Sequence, residues 1–114
     1  MMDKVKISFV LPGTLQKELK ERVIRDNYDM KGKSRWISEA IERLLTTESF
    51  PDLVKINDVM RGFEKLESIV IDRELKSKLE GAVIETRMKY PGIEGVQSRI
   101  VRTAIVQRLL RLNC

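Results

Sequence analysis

The first third of this chain carries two different spacings of hydrophobic residues. From Lys4 to Leu11 apolar and polar residues alternate, which predicts a short strand with one apolar face. After Pro12 and Gly13 the spacing lengthens to one helical turn, which predicts a helix to about Asp26 that buries Leu15, Leu19 and Val23 with Ile24 alongside. Residues 27–33 are polar and contain a glycine, so they are predicted to form a turn.

A second helical pattern follows this turn and returns near the end of the chain. The segment that starts at Ser34 and Arg35 reappears 64 positions later, starting at Ser98 and Arg99. In both copies we expect the serine to cap a helix by accepting a hydrogen bond from a free backbone N–H. The apolar stripe of each copy predicts a buried helix, and we place Trp36 in the core.

The strand and the first helix also return. Residues 68–71 predict a strand, Asp72 stands where Pro12 stood at the helix start, and the next apolar residues match at an offset of 60: Leu75, Leu79, Val83 and Ile84. The offset grows to 64 because residues 88–96 hold one proline and two glycines and predict a longer turn. The pattern indicates a tandem duplication of one unit of about 45 residues.

The segment between the repeats has a different character. Pro51 and Asp52 predict the start of a short helix that Gly62 ends, with these side chains inward: Leu53, Ile56, Val59 and Met60. An extra edge strand is the alternative. We therefore divide the chain into a first unit (1–48), a linker (49–64) and a second unit (65–114), with one core shared by the two units.

Composition narrows the classes of function. The net charge of +5 favours polyanionic partners. The chain has no histidine and a single cysteine, so the usual side chains for zinc binding and triad chemistry are missing, and we expect no metal, no cofactor and no enzymatic activity. No apolar run of about 18 residues exists. We therefore expect no membrane role and a cytoplasmic protein, in the host cytoplasm if the source is viral.

The motifs resemble the ribbon-helix-helix DNA-binding proteins of the Arc/MetJ/CopG superfamily. The resemblance lies in an alternating strand that runs into Leu11-Pro12-x-x-Leu15-x-x-x-Leu19, then Gly32-x-Ser34-Arg35, then Glu39-Ala40-Ile41. Two units on one chain resemble the TraY-like and archaeal viral members. The resemblance implies a mainly α fold with a short two-stranded antiparallel β-ribbon, in which the two ribbon-helix-helix units form a pseudo-dimer.

The physics of small units favours the same pairing. One strand and two short helices cannot bury their own apolar faces, and a lone strand has no ladder partner. A two-stranded ribbon fits the major groove of DNA, where alternate side chains point at base edges. Whether the two strands of one chain pair with each other, or exchange between chains, stays open at this stage.

The resemblance assigns two sets of DNA contacts. The outward strand residues would contact bases: Lys6, Ser8 and Val10 in the first strand, and Ser68 and Val70 in the second, with Leu66 at the position that matches Lys6. The strand start and the starts of the second helices would contact phosphates: Lys4, Lys33, Ser34, Arg35, Gln97, Ser98 and Arg99.

The sequence therefore predicts a sequence-specific regulator of transcription that binds double-stranded DNA without a small-molecule substrate. Any self-association would join pseudo-dimeric chains along DNA. One alternative is a relaxosome or plasmid-maintenance accessory protein with the same DNA chemistry. The other is a protein-interaction module that has lost DNA binding, which the weakly polar outer face of the second strand keeps open.

Overall fold

In a computed structural model, which describes residues 3–29, 32–57 and 64–110, the chain is mainly helical with one two-stranded antiparallel sheet. The elements in chain order are β1 (Lys4–Pro12), α1 (Gly13–Arg25), α2 (Lys33–Leu45), α3 (Phe50–Ile56), β2 (Glu64–Asp72), α4 (Arg73–Lys89) and α5 (Val96–Leu110). The coarse fold prediction, a mainly α chain with an antiparallel ribbon, is confirmed.

Strands β1 and β2 pair along their whole length, from Lys4 opposite Asp72 to Pro12 opposite Glu64. Ser8 lies opposite Ser68 at the centre. The inner face of the ribbon is mostly apolar, and Ile7, Phe9, Leu11, Ile69 and Ile71 on this face are buried. Strand β2 begins at Glu64, so the predicted start at Ser68 is wrong. The longer strand arises because residues 64–67 find ladder partners on β1, which no local pattern reveals.

Helices α2 and α5 pack against each other beneath the ribbon and form the centre of the core. Ile37 and Ile41 of α2 and Val101 and Ile105 of α5 are fully buried. Burying each such side chain contributes roughly 1.5–3 kcal/mol. Trp36 is also fully buried, as predicted, and Leu45 and Leu109 pack against the edge of the same cluster.

Helices α1 and α4 cover this core with a narrower stripe than predicted. Leu19 and Leu79 are fully buried, but Ile24 and Ile84 are 62% and 61% exposed. Each isoleucine follows an inward valine directly, and neighbouring helical residues lie about 100° apart around the axis. The predicted inward position of both isoleucines is therefore wrong. Helix α4 also runs on to Lys89, so Met88 is helical and does not belong to the turn.

The linker contains the predicted short helix, α3, and within residues 49–57 no extra edge strand forms. Phe50 and Val54 are buried, whereas Ile56 is 75% exposed and does not point inward as predicted. Helix α3 ends at Ile56, so the prediction that it continues to Gly62 is wrong. The predicted inward positions of Val59 and Met60 lie outside the described residues.

Polar contacts attach α3 to both neighbouring helices. The Asp52 carboxylate accepts hydrogen bonds from the Lys89 ammonium, at 2.8 Å, and from the Tyr90 hydroxyl. These hydrogen bonds hold the pKa of Asp52 below its ordinary value, and the carboxylate raises the pKa of both Lys89 and Tyr90. On the other side, the Arg99 guanidinium of α5 donates to the backbone oxygens of Val54 and Lys55, at 3.1 and 3.0 Å.

Gly32 precedes α2 at a point where the chain folds back on itself. A Cβ at this position would lie 2.6 Å from the Tyr28 Cβ and 3.1 Å from the Asp29 backbone oxygen. Both neighbours are fixed by the turn after α1, so no flexible side-chain end can move aside. Gly32 is therefore required by close packing, and its φ of −83° suits any residue.

We expect Gly32→Ala to destabilise the fold by about 1–3 kcal/mol, because the new methyl group must displace main chain or the Tyr28 Cβ. Gly81→Ala in the middle of α4 is the matched control. A Cβ there meets nothing within 4 Å. The control should raise the free energy of unfolding by about 0.5–1 kcal/mol through helix propensity. Urea unfolding followed by circular dichroism measures both variants, and equal shifts of the same sign would contradict this account of Gly32.

Candidate nucleic-acid interface

The outer face of the ribbon is open to solvent. Successive residues of a strand point to opposite faces of the ribbon. Because Ile7 and Ile69 point to the buried face, the residues that alternate with them point to the outer face. Cross-strand neighbours on this outer face are Lys4 and Asp72, Lys6 and Val70, Ser8 and Ser68, and Val10 and Leu66. The structure thus brings all five predicted base-contacting residues onto one face.

The chemistry of this face changes along the ribbon. Lys4 and Lys6 are exposed at one end, and the Lys4 ammonium lies 2.7 Å from the Asp72 carboxylate. The two central serine hydroxyls are 3.2 Å apart and hydrogen-bonded. Leu66 is 71% exposed and Val70 is 44% exposed. The surface therefore offers hydrogen-bonding groups at the centre and at one end, with bare apolar side chains beside them.

The first turns of α2 and α5 lie against the two edges of the ribbon. The Ser34 hydroxyl accepts a hydrogen bond from the Val70 backbone N–H at 3.1 Å, and the Ser98 hydroxyl accepts one from the Val10 N–H at 3.3 Å. A strand with only one neighbour leaves alternate N–H groups without a ladder partner, and these serines satisfy two of them. Each serine also ties its helix to the strand of the other repeat.

The prediction that these two serines cap their helices is wrong. Helix α2 is preceded by Gly32 and begins at Lys33, and α5 begins at Val96. Both serines thus lie inside the first turn. Their hydroxyls face the ribbon, a role that the local sequence pattern cannot distinguish from capping.

The other residues predicted to contact phosphate fall into two groups. Arg35 stays 77% exposed and pairs with Glu39 one turn later, at 3.3 Å. The Lys33 ammonium pairs with the Glu67 carboxylate at 2.7 Å. Gln97 donates to the Ser8 backbone oxygen at 3.1 Å, and Arg99 donates to the end of α3. Lys33, Gln97 and Arg99 are therefore engaged with protein, whereas Arg35 projects into solvent.

Glu67 is an acidic residue on the buried face of β2, opposite Phe9. Its side chain is only 11% exposed. Besides the Lys33 ammonium, the amide of Gln16 donates to this carboxylate. A buried carboxylate is tolerated only with such partners. Glu67 thereby connects β2 to both α1 and α2.

A cluster of polar side chains holds α2 against the end of α1. The buried Trp36 indole donates to Asp26 at 2.8 Å, and Arg22 donates to the same carboxylate at 3.3 Å. Burial acts to raise the pKa of Asp26, but these hydrogen bonds, with the charges of Arg22 and Arg108, outweigh it. The pKa of Asp26 therefore lies below its ordinary value of 3.8.

Arg108 from α5 completes the cluster. Its guanidinium lies 4.5 Å from the centre of the Trp36 ring and donates to the Trp36 backbone oxygen at 2.7 Å and to Glu39 at 3.2 Å. The Tyr28 hydroxyl also donates to Glu39. Burial opposes ionisation of Glu39, but the hydrogen bonds from Tyr28, Arg108 and Arg35 lower its pKa below the ordinary value of 4.5. The first repeat is thus fastened to the last helix.

Sequence reasoning missed Asp26 and Arg108. Asp26 follows the last residue of α1, where a polar residue is ordinary, and Arg108 lies in a helix with several basic residues. Asp26 accepts from Trp36 of α2, and Arg108 donates to Trp36 and Glu39, so both roles depend on contacts between helices that no local pattern shows. The only local signal is the single tryptophan, because a buried indole N–H requires an acceptor.

Comparisons of the chain with family models, with curated proteins and with solved structures find no match. Within residues 3–29, 32–57 and 64–110, no helix has the length and apolar character needed to cross a membrane.

We expect Asp26→Asn to lower the free energy of unfolding by roughly 1 kcal/mol at pH 7, because the amide replaces hydrogen bonds to a charged acceptor by weaker neutral ones. The lowered pKa means that the folded chain binds this proton less tightly than the unfolded chain. The stabilisation is therefore complete above the ordinary value of 3.8 and is lost as pH falls through the folded-state pKa.

The difference in free energy of unfolding between Asp26→Asn and the unaltered chain should consequently be smaller at pH 3 than at pH 7. Urea unfolding at the two pH values measures it. Glu80→Gln, which removes one exposed carboxylate from α4, controls for net charge. A deficit of equal size at both pH values would show that the charge of Asp26 does not carry the effect.

Proposed function

We propose that this chain is a ribbon-helix-helix DNA-binding protein that inserts its β-ribbon into the major groove of a specific duplex site and regulates transcription. The observation that carries the proposal is the solvent-exposed outer face of the ribbon with a helix start against each of its edges. A two-stranded ribbon has the width to enter a major groove of about 12 Å. The net charge of +5 favours a polyanion.

We further propose that the two repeats form a pseudo-dimer within one chain. Strands and first helices begin 60 positions apart, at Lys4 and Glu64 and at Gly13 and Arg73. Ser8 faces its own repeat equivalent, Ser68, at the centre of the ladder, as a two-fold axis through this pair would require. The same two-fold axis relates the hydrogen bond between Ser34 and Val70 to the hydrogen bond between Ser98 and Val10.

The outer side chains would supply the base contacts. Lys6 can donate to the O6 and N7 acceptors of guanine, and the serine hydroxyls can donate or accept at the central base pairs. Val10 and Val70 can contact only apolar groups, chiefly the methyl group of thymine. Because Val10 and Val70 are repeat equivalents, each half of the ribbon offers one such apolar contact.

The flanking helix starts would supply the phosphate contacts. The free backbone N–H groups and the positive end of the helix dipole favour an anion at the start of α2 and of α5. Each serine hydroxyl accepts a hydrogen bond from the ribbon and retains its own proton to donate. Lys33 and Arg99 bind other elements of the protein, whereas Arg35 pairs with Glu39 on its own helix and stays 77% exposed, so Arg35 is the cationic side chain best placed to reach a phosphate.

A protein-interaction module remains the second candidate, and the exposed Leu66 and Val70 favour it because bare apolar side chains also suit a protein partner. The two candidates differ in one observable. A DNA-binding ribbon retards duplex DNA in a gel-shift assay at moderate salt, whereas an interaction module that has lost DNA binding does not.

We expect Lys6→Ala to weaken binding to the preferred duplex by about 1–3 kcal/mol through loss of a base contact, with a much smaller effect on random duplex. Lys20→Ala removes the same charge from the exposed surface of α1 and is the matched control. Fluorescence anisotropy with both duplexes measures the difference. Equal losses on preferred and random DNA would make Lys6 a phosphate contact instead.

The pseudo-dimer predicts how the chain assembles. A chain that ends at Ser49 lacks β2, α4 and α5, so β1 has no ladder partner and the apolar face of α2 is uncovered. We expect this fragment to be unfolded when dilute or to fold only as a homodimer, and the intact chain to stay folded where it is monomeric. Sedimentation with circular dichroism tests both, and dilution-dependent unfolding of the intact chain would contradict an intramolecular pair.

A further inference from the structure

At the two ends of the ribbon the repeats differ, with Lys4 related to Glu64 and Pro12 to Asp72. Among the residues proposed to contact bases, two-fold symmetry is broken at one position. The two-fold axis that relates Ser8 to Ser68 also relates Val10 to Val70, so the residue type is the same in both halves. It relates Lys6 to Leu66, so at this position the residue type differs. A homodimer would present the lysine twice. This chain presents it once, with a leucine of similar reach in the equivalent place.

Leu66 is not withdrawn from the surface. It is 71% exposed and lies directly across the ladder from Val10. Lys6 lies across from Val70 at the corresponding place in the other half. One half of the ribbon therefore carries a valine with an ammonium group, and the other half carries a valine with a second, bare aliphatic side chain.

Leucine and lysine select different base edges. Lysine donates hydrogen bonds to the O6 and N7 acceptors that guanine presents in the major groove. Leucine has no donor or acceptor, so against guanine it would cover polar atoms without replacing the hydrogen bonds that they lose. The one apolar group in the major groove is the C5 methyl of thymine.

Building on the proposed DNA-binding function, we propose that the preferred duplex site is non-palindromic, with guanine where Lys6 contacts one half-site and thymine at the two-fold-related position, where Leu66 contacts the other. The positions that Val10, Val70 and the central serines contact are pseudo-palindromic, because these residues are matched between the halves. The chain consequently binds its site in one orientation.

Selection of bound sequences from a random duplex pool gives the first test. The expected motif has guanine in one half-site and thymine at the related position of the other. Replacing that thymine by deoxyuridine removes only the methyl group and should weaken binding by about fourfold, the equivalent of one buried methyl-sized group. In Leu66→Ala the same replacement should have almost no effect, because no side chain reaches the methyl group.

Reciprocal variants give the second test, with both positions on the exposed face so that the core is untouched. Leu66→Lys restores symmetry and should shift the selected motif to guanine in both half-sites. Lys6→Leu should shift it to thymine in both. Circular dichroism confirms that each variant is folded before its motif is compared with that of the unaltered chain.

The possible outcomes separate this inference from the function on which it rests. A palindromic motif for the unaltered chain, equal affinity for thymine and deoxyuridine, or an unchanged motif in Leu66→Lys overturns the inference and leaves DNA binding intact. Duplex binding without any sequence preference overturns the inference and the sequence specificity of the proposed function, and leaves only DNA binding. Failure to bind duplex DNA at all overturns the proposed function and the inference together.

Discussion

The ladder between β1 and β2 is the interaction on which the rest of the structure depends. A ribbon of two strands has no interior strand, so each strand has one free edge whose N–H groups need partners. Ser34 and Ser98 supply acceptors at these edges, and the side chains of Gln97 and Arg102 donate to the Ser8 and Val10 backbone oxygens. Satisfying the ribbon therefore also positions the two helix starts.

The two repeats share a backbone plan but brace their second helices differently. Helix α2 is held by Trp36, Asp26 and Arg108, with two carboxyl groups whose pKa values are lowered by their partners. Helix α5 is held by the linker, where Arg99 contacts the end of α3 and Asn57 donates to Thr103 at 3.0 Å. In the proposed pseudo-dimer each contact has to be made only once, so the two halves are free to differ.

Local patterns were sufficient for most of the fold. The alternation of apolar and polar residues predicted β1, and apolar residues spaced one helical turn apart predicted the four long helices. The sequence repeat predicted β2. The errors concern features that depend on distant neighbours: the extension of β2 to Glu64, the exposed Ile24 and Ile84, and the serines that face the ribbon instead of capping helices.

For the candidate site, strand parity placed all the predicted base-contacting residues on one face, because side-chain direction in a strand is a local property. It could not show that Lys33 is paired with Glu67 or that Arg99 holds α3. Long cationic side chains choose among partners that only the tertiary fold brings within reach, so their roles are the least accessible to sequence reasoning.

The central pair of the ribbon, Ser8 and Ser68, is separated by 60 positions in the chain. During synthesis β1 leaves the ribosome first, and its backbone has no ladder partner until β2 emerges. Contacts that close such long loops slow folding, and a waiting strand edge is open to pairing with other chains. The order of the two strands along the chain thus leaves the edge of β1 open to a second copy of the chain until its own partner strand arrives.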